Sequence, residues 1–178
     1  DAAAATLGEG QFDQLVPRVG DRIPQSVYVD LRRAGWLVSP IIDVTFKGVR
    51  FVGIDPLTTP TQMSFSSDSG FSLDDTDLIF GNAKVGLLLE GFVEVNIDNS
   101  IPPGIAIADI GVVQRLFKRN DLSRLMISPE QPIRRPDLVA IAPELVVQPS
   151  QQIADVAALT DSFHLNLTAF GFLSFAVG

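Results

Sequence analysis

Few residues of this 178-residue chain could carry out chemistry, and its only histidine is His164. A single histidine leaves one candidate for a general base near neutral pH and excludes a metal site built from several histidines. His164 stands in a segment of alternating apolar and polar residues, where we expect an exposed or hydrogen-bonded strand residue. The chain has no cysteine, which excludes disulfides, thiolate nucleophiles and zinc sites built on cysteine.

Carboxylates are the next candidates, and two motifs contain them. The Asp-Ser-Gly triplet at 68–70 could supply half of an aspartic-protease site, in which one carboxylate from each of two chains shares a proton. Polar residues precede the triplet where such a site needs an apolar strand, so we expect a loop. Asp74, Asp75 and Asp77 could offer oxygen ligands to a hard cation such as calcium. The glycine and distal glutamate of a calcium-binding loop are missing, which favours a solvated acidic loop.

The remaining motifs point away from catalysis. The triplet Asn-Leu-Thr at 166–168 is a formal N-glycosylation sequon, but its place in a predicted strand argues against its use. The sequence contains no Gly-x-Ser-x-Gly, no phosphate-binding glycine loop and no Ser-x-x-Lys. We therefore predict that the protein is not an enzyme, with no catalytic residue, no cofactor and no metal site.

Charge is spread unevenly along the chain, which has a net charge of −8 and an isoelectric point near 4.5. The acidic maximum is at 68–77 and the basic maximum at 114–135. These segments are either two solvated faces or complementary patches that join neighbouring copies of the chain. The low isoelectric point disfavours nucleic-acid binding by the basic segment. The patch residues are Asp68, Asp74, Asp75, Asp77, Arg115, Lys118, Arg119, Arg124, Arg134 and Arg135.

The composition is apolar for a folded domain. Hydrophobic residues make up 46% of the chain, and charged residues make up 19%, below the roughly 25% of typical soluble domains. Such a chain would expose much apolar surface as a monomer, which favours coverage by other subunits. No apolar run reaches the roughly 18 residues of a membrane-spanning helix, so we predict no transmembrane span.

Alternation of apolar and polar residues predicts strands in three segments. Residues 25–31 alternate cleanly, and residues 40–54 form a longer strand whose apolar face switches at Gly48. A switch of face at a glycine is typical of a β-bulge or a bend. Residues 84–99 have the clearest alternation and predict one long strand.

Helix signals are weaker and more local. Residues 105–119 begin as a strand and continue as a helix, with Asp109 as the N-cap, and residues 121–127 predict a further helical turn. Residues 129–149 hold five of the 12 prolines, which predicts an extended arm with short strands at 138–142 and 144–147. Ser150 is the N-cap of a predicted helix that ends at residue 159.

The C-terminal segment, 161–178, is a hydrophobic run. Residues 163–168 alternate between apolar and polar, whereas both faces are apolar from residue 170 onward. A strand that is apolar on both faces is typically covered on both sides. We predict a buried C-terminal strand, with one cover supplied by a neighbouring subunit. The residues predicted to be buried are Phe170, Phe172, Leu173, Phe175 and Val177.

The predicted organisation is an N-terminal arm at 1–24 and one β-rich domain at 25–178 that includes the proline-rich segment 129–149. The expected fold is mostly β, an antiparallel β-sandwich or jelly-roll-like barrel with short helices and extended arms.

The leading functional hypothesis is a non-enzymatic structural subunit of a large symmetric assembly, chiefly a viral or phage capsid, coat or capsid-associated protein. Its partners would be copies of itself and other assembly proteins, with no small-molecule substrate. Its location would be a virion or another extracytoplasmic assembly, with the cytoplasm still open.

The alternative hypothesis is a secreted or periplasmic β-sandwich module that binds a carbohydrate, a lipid or a protein. An exposed aromatic cluster on one face of the sheet would favour this alternative, with Phe92 and Trp36 as the first candidates. A hydrolase with an active site made of aspartates is the third hypothesis, and the chain offers it no strong nucleophile.

Overall fold

A computed structural model of the chain describes residues 11–60 and 78–150. Its centre is an eight-stranded mixed sheet, and a separate pair of two-residue strands lies beside it. The strands are β1 Gln14–Pro17, β2 Ile23–Pro24, β3 Val38–Phe46, β4 Val49–Ile54, β5 Ile79–Gly81, β6 Asn96–Ile97, β7 Ile105–Asp109, β8 Asp121–Leu122, β9 Arg124–Ile127 and β10 Leu145–Gln148. The helices are α1 Gln25–Arg33, α2 Ala83–Leu88, α3 Ile110–Phe117 and α4 Leu138–Ile141.

The large sheet has the strand order β10-β1-β9-β3-β4-β7-β5-β6, and β2 pairs with β8. The pairs β4–β7 and β5–β6 are parallel, and the other pairs are antiparallel. The β-rich expectation is confirmed. Over the described residues the sheet is open and mixed, not a closed barrel, and the antiparallel sandwich or jelly roll is not confirmed.

The switch of apolar face at Gly48 is a hairpin turn between β3 and β4, so the prediction of one strand over 40–54 with a bulge or a bend is wrong. Phe46 pairs with Val49, and the two residues between them, Lys47 and Gly48, have φ angles of 51° and 74°. Positive φ at both central residues defines the turn that suits the twist of a two-residue hairpin. Since directly paired residues face the same side of a sheet, the apolar pattern shifts by one position across the turn.

One predicted strand is a helix, and a second one begins as a helix. Residues 25–31 belong to α1, which ends where Gly35 takes a φ of 95° and the Trp36 amide donates to the carbonyl of Leu31 at 3.0 Å. This is the glycine stop signal of a helix, which alternation alone does not reveal. The long strand at 84–99 is also wrong, because Asn82 caps α2 by accepting from the Val85 amide at 3.0 Å.

The transition from strand to helix at Asp109 is confirmed. β7 ends at Asp109, whose Oδ1 accepts from the Gly111 amide at 2.7 Å and caps α3. The predicted helical turn at 121–127 is wrong, because this segment forms β8 and β9. β9 is held between β1 and β3, so sheet pairing outweighs local helix propensity here.

The proline-rich segment and the predicted N-terminal arm both contribute to the sheet. The strand predicted at 144–147 is confirmed as β10, whereas the one predicted at 138–142 is wrong because α4 occupies it. Within the predicted arm, β1 lies between β10 and β9, and its Leu15 is fully buried.

The helices cover one face of the sheet. The buried helical residues Leu31, Val85 and Val113 pack in one core cluster with Phe51 of β4. The opposite face carries a second, smaller cluster that includes Ile41 and Ile107. The central strands are therefore buried on both faces.

Several sequence predictions lie outside the described residues. They are the acidic segment 68–77, His164, the sequon at 166–168, the helix that follows Ser150 and the C-terminal strand with Phe170, Phe172, Leu173, Phe175 and Val177.

Candidate functional site

Four phenylalanines gather where the β3–β4 hairpin turns. Phe46 ends β3, Phe51 lies in β4, Phe117 is the last residue of α3, and Phe92 lies in the loop between α2 and β6. The ring centroids are 4.6 Å apart for Phe46 and Phe92, 5.8 Å for Phe46 and Phe117, and 5.0 Å for Phe51 and Phe117. These tilted and edge-to-face contacts fall in the range that aromatic pairs prefer. We call these four residues the aromatic cluster.

The aromatic cluster runs from the core to the surface. Phe51 is fully buried, whereas Phe46, Phe92 and Phe117 are half-buried. The Lys47 ammonium lies 5.5 Å from the centroid of Phe92 and 5.8 Å from that of Phe46, within the range of a cation–π contact. The outer part of the cluster is therefore an aromatic surface with a cation at its rim.

An exposed aliphatic surface adjoins the loop that carries Phe92. Leu87 is 73% exposed, and Leu88 and Ile97 are also exposed. α2 and β6 pack closely, since a Cβ added to Gly86 would lie 2.7 Å from Cδ1 of Ile97. We call Leu87, Leu88 and Ile97 the apolar edge, because β6 is the last strand at that side of the sheet.

A half-buried ion cluster lies on the other face of the sheet. Asp43 of β3 accepts from Arg50 Nε at 2.8 and 3.0 Å and from Arg124 Nη1 at 2.9 Å, and it also pairs with Arg50 Nη2. Burial acts to raise the pKa of Asp43, but the hydrogen bonds and charges of Arg50 and Arg124 outweigh it and lower the pKa below its ordinary value of 3.8. A carboxylate held in this way is a poor proton acceptor, so the cluster is suited to joining β3, β4 and β9.

A hydroxyl cluster fixes the loop that leaves β4. The buried Ser39 hydroxyl lies 3.0 Å from that of Thr58, and Thr58 donates to Asp55 Oδ2 at 2.8 Å. Burial, with the charge of Asp55, raises the pKa of the Tyr28 hydroxyl, against the charge of Arg32 and a hydrogen bond with Thr58. These hydroxyls are paired with one another and with Asp55, which fixes the loop against β3.

Three residues of the predicted basic patch are engaged by other groups of the chain. Arg124 belongs to the ion cluster, Arg119 pairs with Asp121 at 2.6 Å, and Arg135 stacks on Trp36. The remaining basic residues, Arg115, Lys118 and Arg134, are exposed. The acidic residues predicted to face this patch, Asp68, Asp74, Asp75 and Asp77, lie outside the described residues, so their pairing stays a prediction.

Of the two aromatic candidates, the structure places one at a surface cluster. Phe92 belongs to the aromatic cluster. Trp36 is only 6% exposed, and its Nε1 donates to the Pro136 carbonyl at 3.0 Å, so its choice as an exposed aromatic is wrong. Sequence reasoning missed Phe46 and Phe117. The one local signal is an aromatic residue directly before a lysine at the end of an element, in Phe46-Lys47 and Phe117-Lys118.

The described residues contain no group of three or more His, Cys, Asp or Glu side chains that could hold a metal ion. None of the helices in the described part of the chain is long and apolar enough to cross a lipid bilayer.

No family model matches the chain, and no curated protein matches it. The chain is similar to the periplasmic region of MacB from Actinobacillus actinomycetemcomitans, with a TM-score of 0.47 and 9% identity over 87% of this chain and 95% of that chain.

The prediction of a viral or phage coat protein is wrong. It rested in part on extended arms at the N-terminus and at 129–149, whereas β1 and β10 from these two segments pair with each other within the sheet. The capsid and coat roles are therefore wrong as well, and a virion location is not supported.

Proposed function

We propose that this chain is a non-enzymatic binding module that works outside the cytoplasm and contacts a protein partner through its aromatic cluster and apolar edge. The observation that carries the proposal is the continuity from buried Phe51 to half-buried Phe46, Phe92 and Phe117. The alternative hypothesis drawn from the sequence, a secreted or periplasmic module, predicts the same location.

The chemistry of this surface favours a protein over a carbohydrate. Aromatic residues are enriched at the centres of protein interfaces, and charged groups lie at the rim. Phenylalanine has no polar tip to bond a sugar hydroxyl, unlike tyrosine and tryptophan. The Lys47 ammonium lies over the rings of Phe46 and Phe92, and it would supply a cation at the rim of such an interface.

Binding without catalysis is supported by the state of the candidate reactive groups. Two guanidiniums hold the Asp43 carboxylate, which lowers its pKa and its strength as a base. The Ser39 hydroxyl hydrogen-bonds to that of Thr58, and the Thr58 hydroxyl hydrogen-bonds to Asp55. These contacts stabilise the fold and leave binding as the activity best supported.

The test is site-specific photocrosslinking in the organism that makes the protein. A photoreactive amino acid replaces Leu87 in the apolar edge or, as the matched control, Leu57, which is 77% exposed beyond the far end of β4. We expect one protein to crosslink at position 87 and not at position 57, in an extracytoplasmic fraction. Crosslinks to lipid alone, equal crosslinking at both positions, or recovery of the chain from the cytoplasm would overturn the proposal.

A further inference from the structure

A proline-rich loop, residues 129–137, crosses the connection between α1 and β3; we call it the strap. Ile133 at its tip is 99% exposed, more than any other large hydrophobic side chain of the described residues. We propose that the strap is a preorganised docking loop that inserts Ile133 into an apolar pocket of a partner protein, with Arg134 against a carboxylate at the pocket rim.

The N-terminal side of the strap is fixed by one side-chain amide. Gln131 Oε1 accepts from the Leu37 amide at 3.0 Å, and Gln131 Nε2 donates to the Leu37 carbonyl and, at 2.9 Å, to that of Ser128. The Ser128 amide donates to the same Leu37 carbonyl at 3.0 Å. Gln131 therefore binds both polar groups of one backbone unit, which holds the strap in one register.

The C-terminal side is fixed by a stack. The Arg135 guanidinium lies 4.4 Å from the centroid of Trp36, and Arg135 Nη1 donates to the Pro132 carbonyl at 3.2 Å. Trp36 Nε1 in turn donates to the carbonyl of Pro136. Only Ile133 and Arg134 lie between these two sets of anchors, and both are exposed.

Preorganisation is what distinguishes Ile133 from an ordinary exposed aliphatic residue. The strap holds Pro129, Pro132 and Pro136, each of which fixes one backbone φ angle. A loop already held in its bound shape loses little conformational entropy on binding, so more of the contact energy becomes affinity. A protruding, rigid tip fits a concave surface, which selects a partner with a pocket.

Arg134 indicates the chemistry of the rim. It is exposed beside Ile133, and it has no ion-pair partner among the described residues. The acidic residues of the strap, Glu130 and Asp137, lie near its two ends. A partner carboxylate beside the pocket would therefore meet a free guanidinium at the tip, with bidentate geometry available to it.

The strap is separate from the surface of the proposed function. Leu37 directly precedes β3 and Phe46 ends it, so the nine residues of β3 put the two surfaces about 30 Å apart. The inference does not rest on the proposed function, and variants of the two surfaces test them separately.

The experiment places a photoreactive amino acid at Ile133 in the full chain, with Val139 of α4, 66% exposed, as the control position. The protein captured at position 133 is purified, and its affinity is measured for the wild type and for Ile133→Ser, Arg134→Glu and Arg134→Lys. We expect at least about a 10-fold loss for Ile133→Ser and for Arg134→Glu, and a smaller loss for Arg134→Lys.

Gln131→Ala provides the readout for preorganisation. This variant keeps Ile133 and Arg134 and removes only the hydrogen bonds that hold the strap in place. We therefore expect it to bind the partner more weakly while its melting temperature stays nearly unchanged. Equal capture at positions 133 and 139, capture of lipid only, or unchanged affinity for Ile133→Ser and Arg134→Glu would overturn the proposal.

Discussion

The rings of Phe46 and Phe92 lie 4.6 Å apart, and this contact joins the end of β3 to the loop before β6. Three strands of the sheet, β4, β7 and β5, separate β3 from β6. The contact therefore ties the end of a central strand to the loop that links α2, with its exposed Leu87 and Leu88, to β6. The proposed binding surface depends on it.

Phe92→Ala should destabilise the fold moderately. Phe92 packs on Phe46 and Phe117 but is only half-buried, so we expect a loss of about 1–2 kcal/mol in the free energy of unfolding, less than for a fully buried phenylalanine. Urea unfolding measures it. Leu87→Ala on the exposed surface is the control and should stay within about 0.5 kcal/mol of the wild type. Equal losses for the two variants would contradict the packing of Phe92.

Gly48→Ala should destabilise the hairpin through its backbone alone. A Cβ at Gly48 meets nothing within 4 Å, but φ is +74°, a conformation that costs an L-residue roughly 1 kcal/mol. Thermal unfolding measures the loss. Lys47→Asn is the matched change, because asparagine suits the first turn position, and it should cost less. A stability of Gly48→Ala equal to that of the wild type would show that the turn has another geometry.

The ion cluster should make the free energy of unfolding depend on pH in the acidic range. The pKa of Asp43 is lowered in the folded chain, so the unfolded chain binds a proton more readily and stability falls as pH decreases. The contribution is complete above the ordinary pKa of 3.8 and is lost as pH falls through the lower, folded value. We expect Asp43→Asn to cost roughly 2 kcal/mol at pH 7, because it removes the negative charge that Arg50 and Arg124 both bind.

The difference in unfolding free energy between the wild type and Asp43→Asn should depend on pH, which a loss of packing alone would not produce. The stability gap between wild type and Asp43→Asn should shrink at pH values below about 4. Asp30→Asn on the exposed face of α1 is the control and should show no comparable gap. A gap that stays constant down to the lowest pH at which the protein folds would contradict the role given to Asp43.

Removing the Gln131 anchor of the strap should affect the structure only locally. Gln131→Ala removes the side-chain acceptor of the Leu37 amide, so we expect that amide to exchange its hydrogen at least about 10-fold faster while global unfolding barely changes. Hydrogen exchange followed by NMR gives the rate for Leu37. Glu130→Ala, on an exposed neighbour, should leave it unchanged. Slow exchange in Gln131→Ala would mean that another group protects the amide.

Local signals predict local elements of this fold. The capping aspartate and the change of periodicity at Asp109 predict the β7–α3 junction correctly, because both signals act within one turn of chain. The strand predicted at 84–99 is wrong because its apolar pattern fits two different periods. Val85 and Leu89 are buried four residues apart, as a helix requires, but they also fit an alternating pattern.

The candidate site depends on contacts that no local pattern contains. Phe46, Phe92 and Phe117 come from a strand, a loop and a helix that only the tertiary fold brings together. Asp43, Arg50 and Arg124 meet for the same reason, because β4 and β9 both pair with β3. Phe92 could be suggested from the sequence as an aromatic candidate, but its neighbours could not.

The most direct test of the binding surface is the dissociation constant of the protein captured at position 87. It is measured for the wild type, for Leu87→Asp in the apolar edge and for Leu57→Asp as a control of equal chemistry and similar exposure. We expect Leu87→Asp to weaken binding at least about 10-fold and Leu57→Asp to leave it unchanged. The same constant for all three proteins would contradict the account.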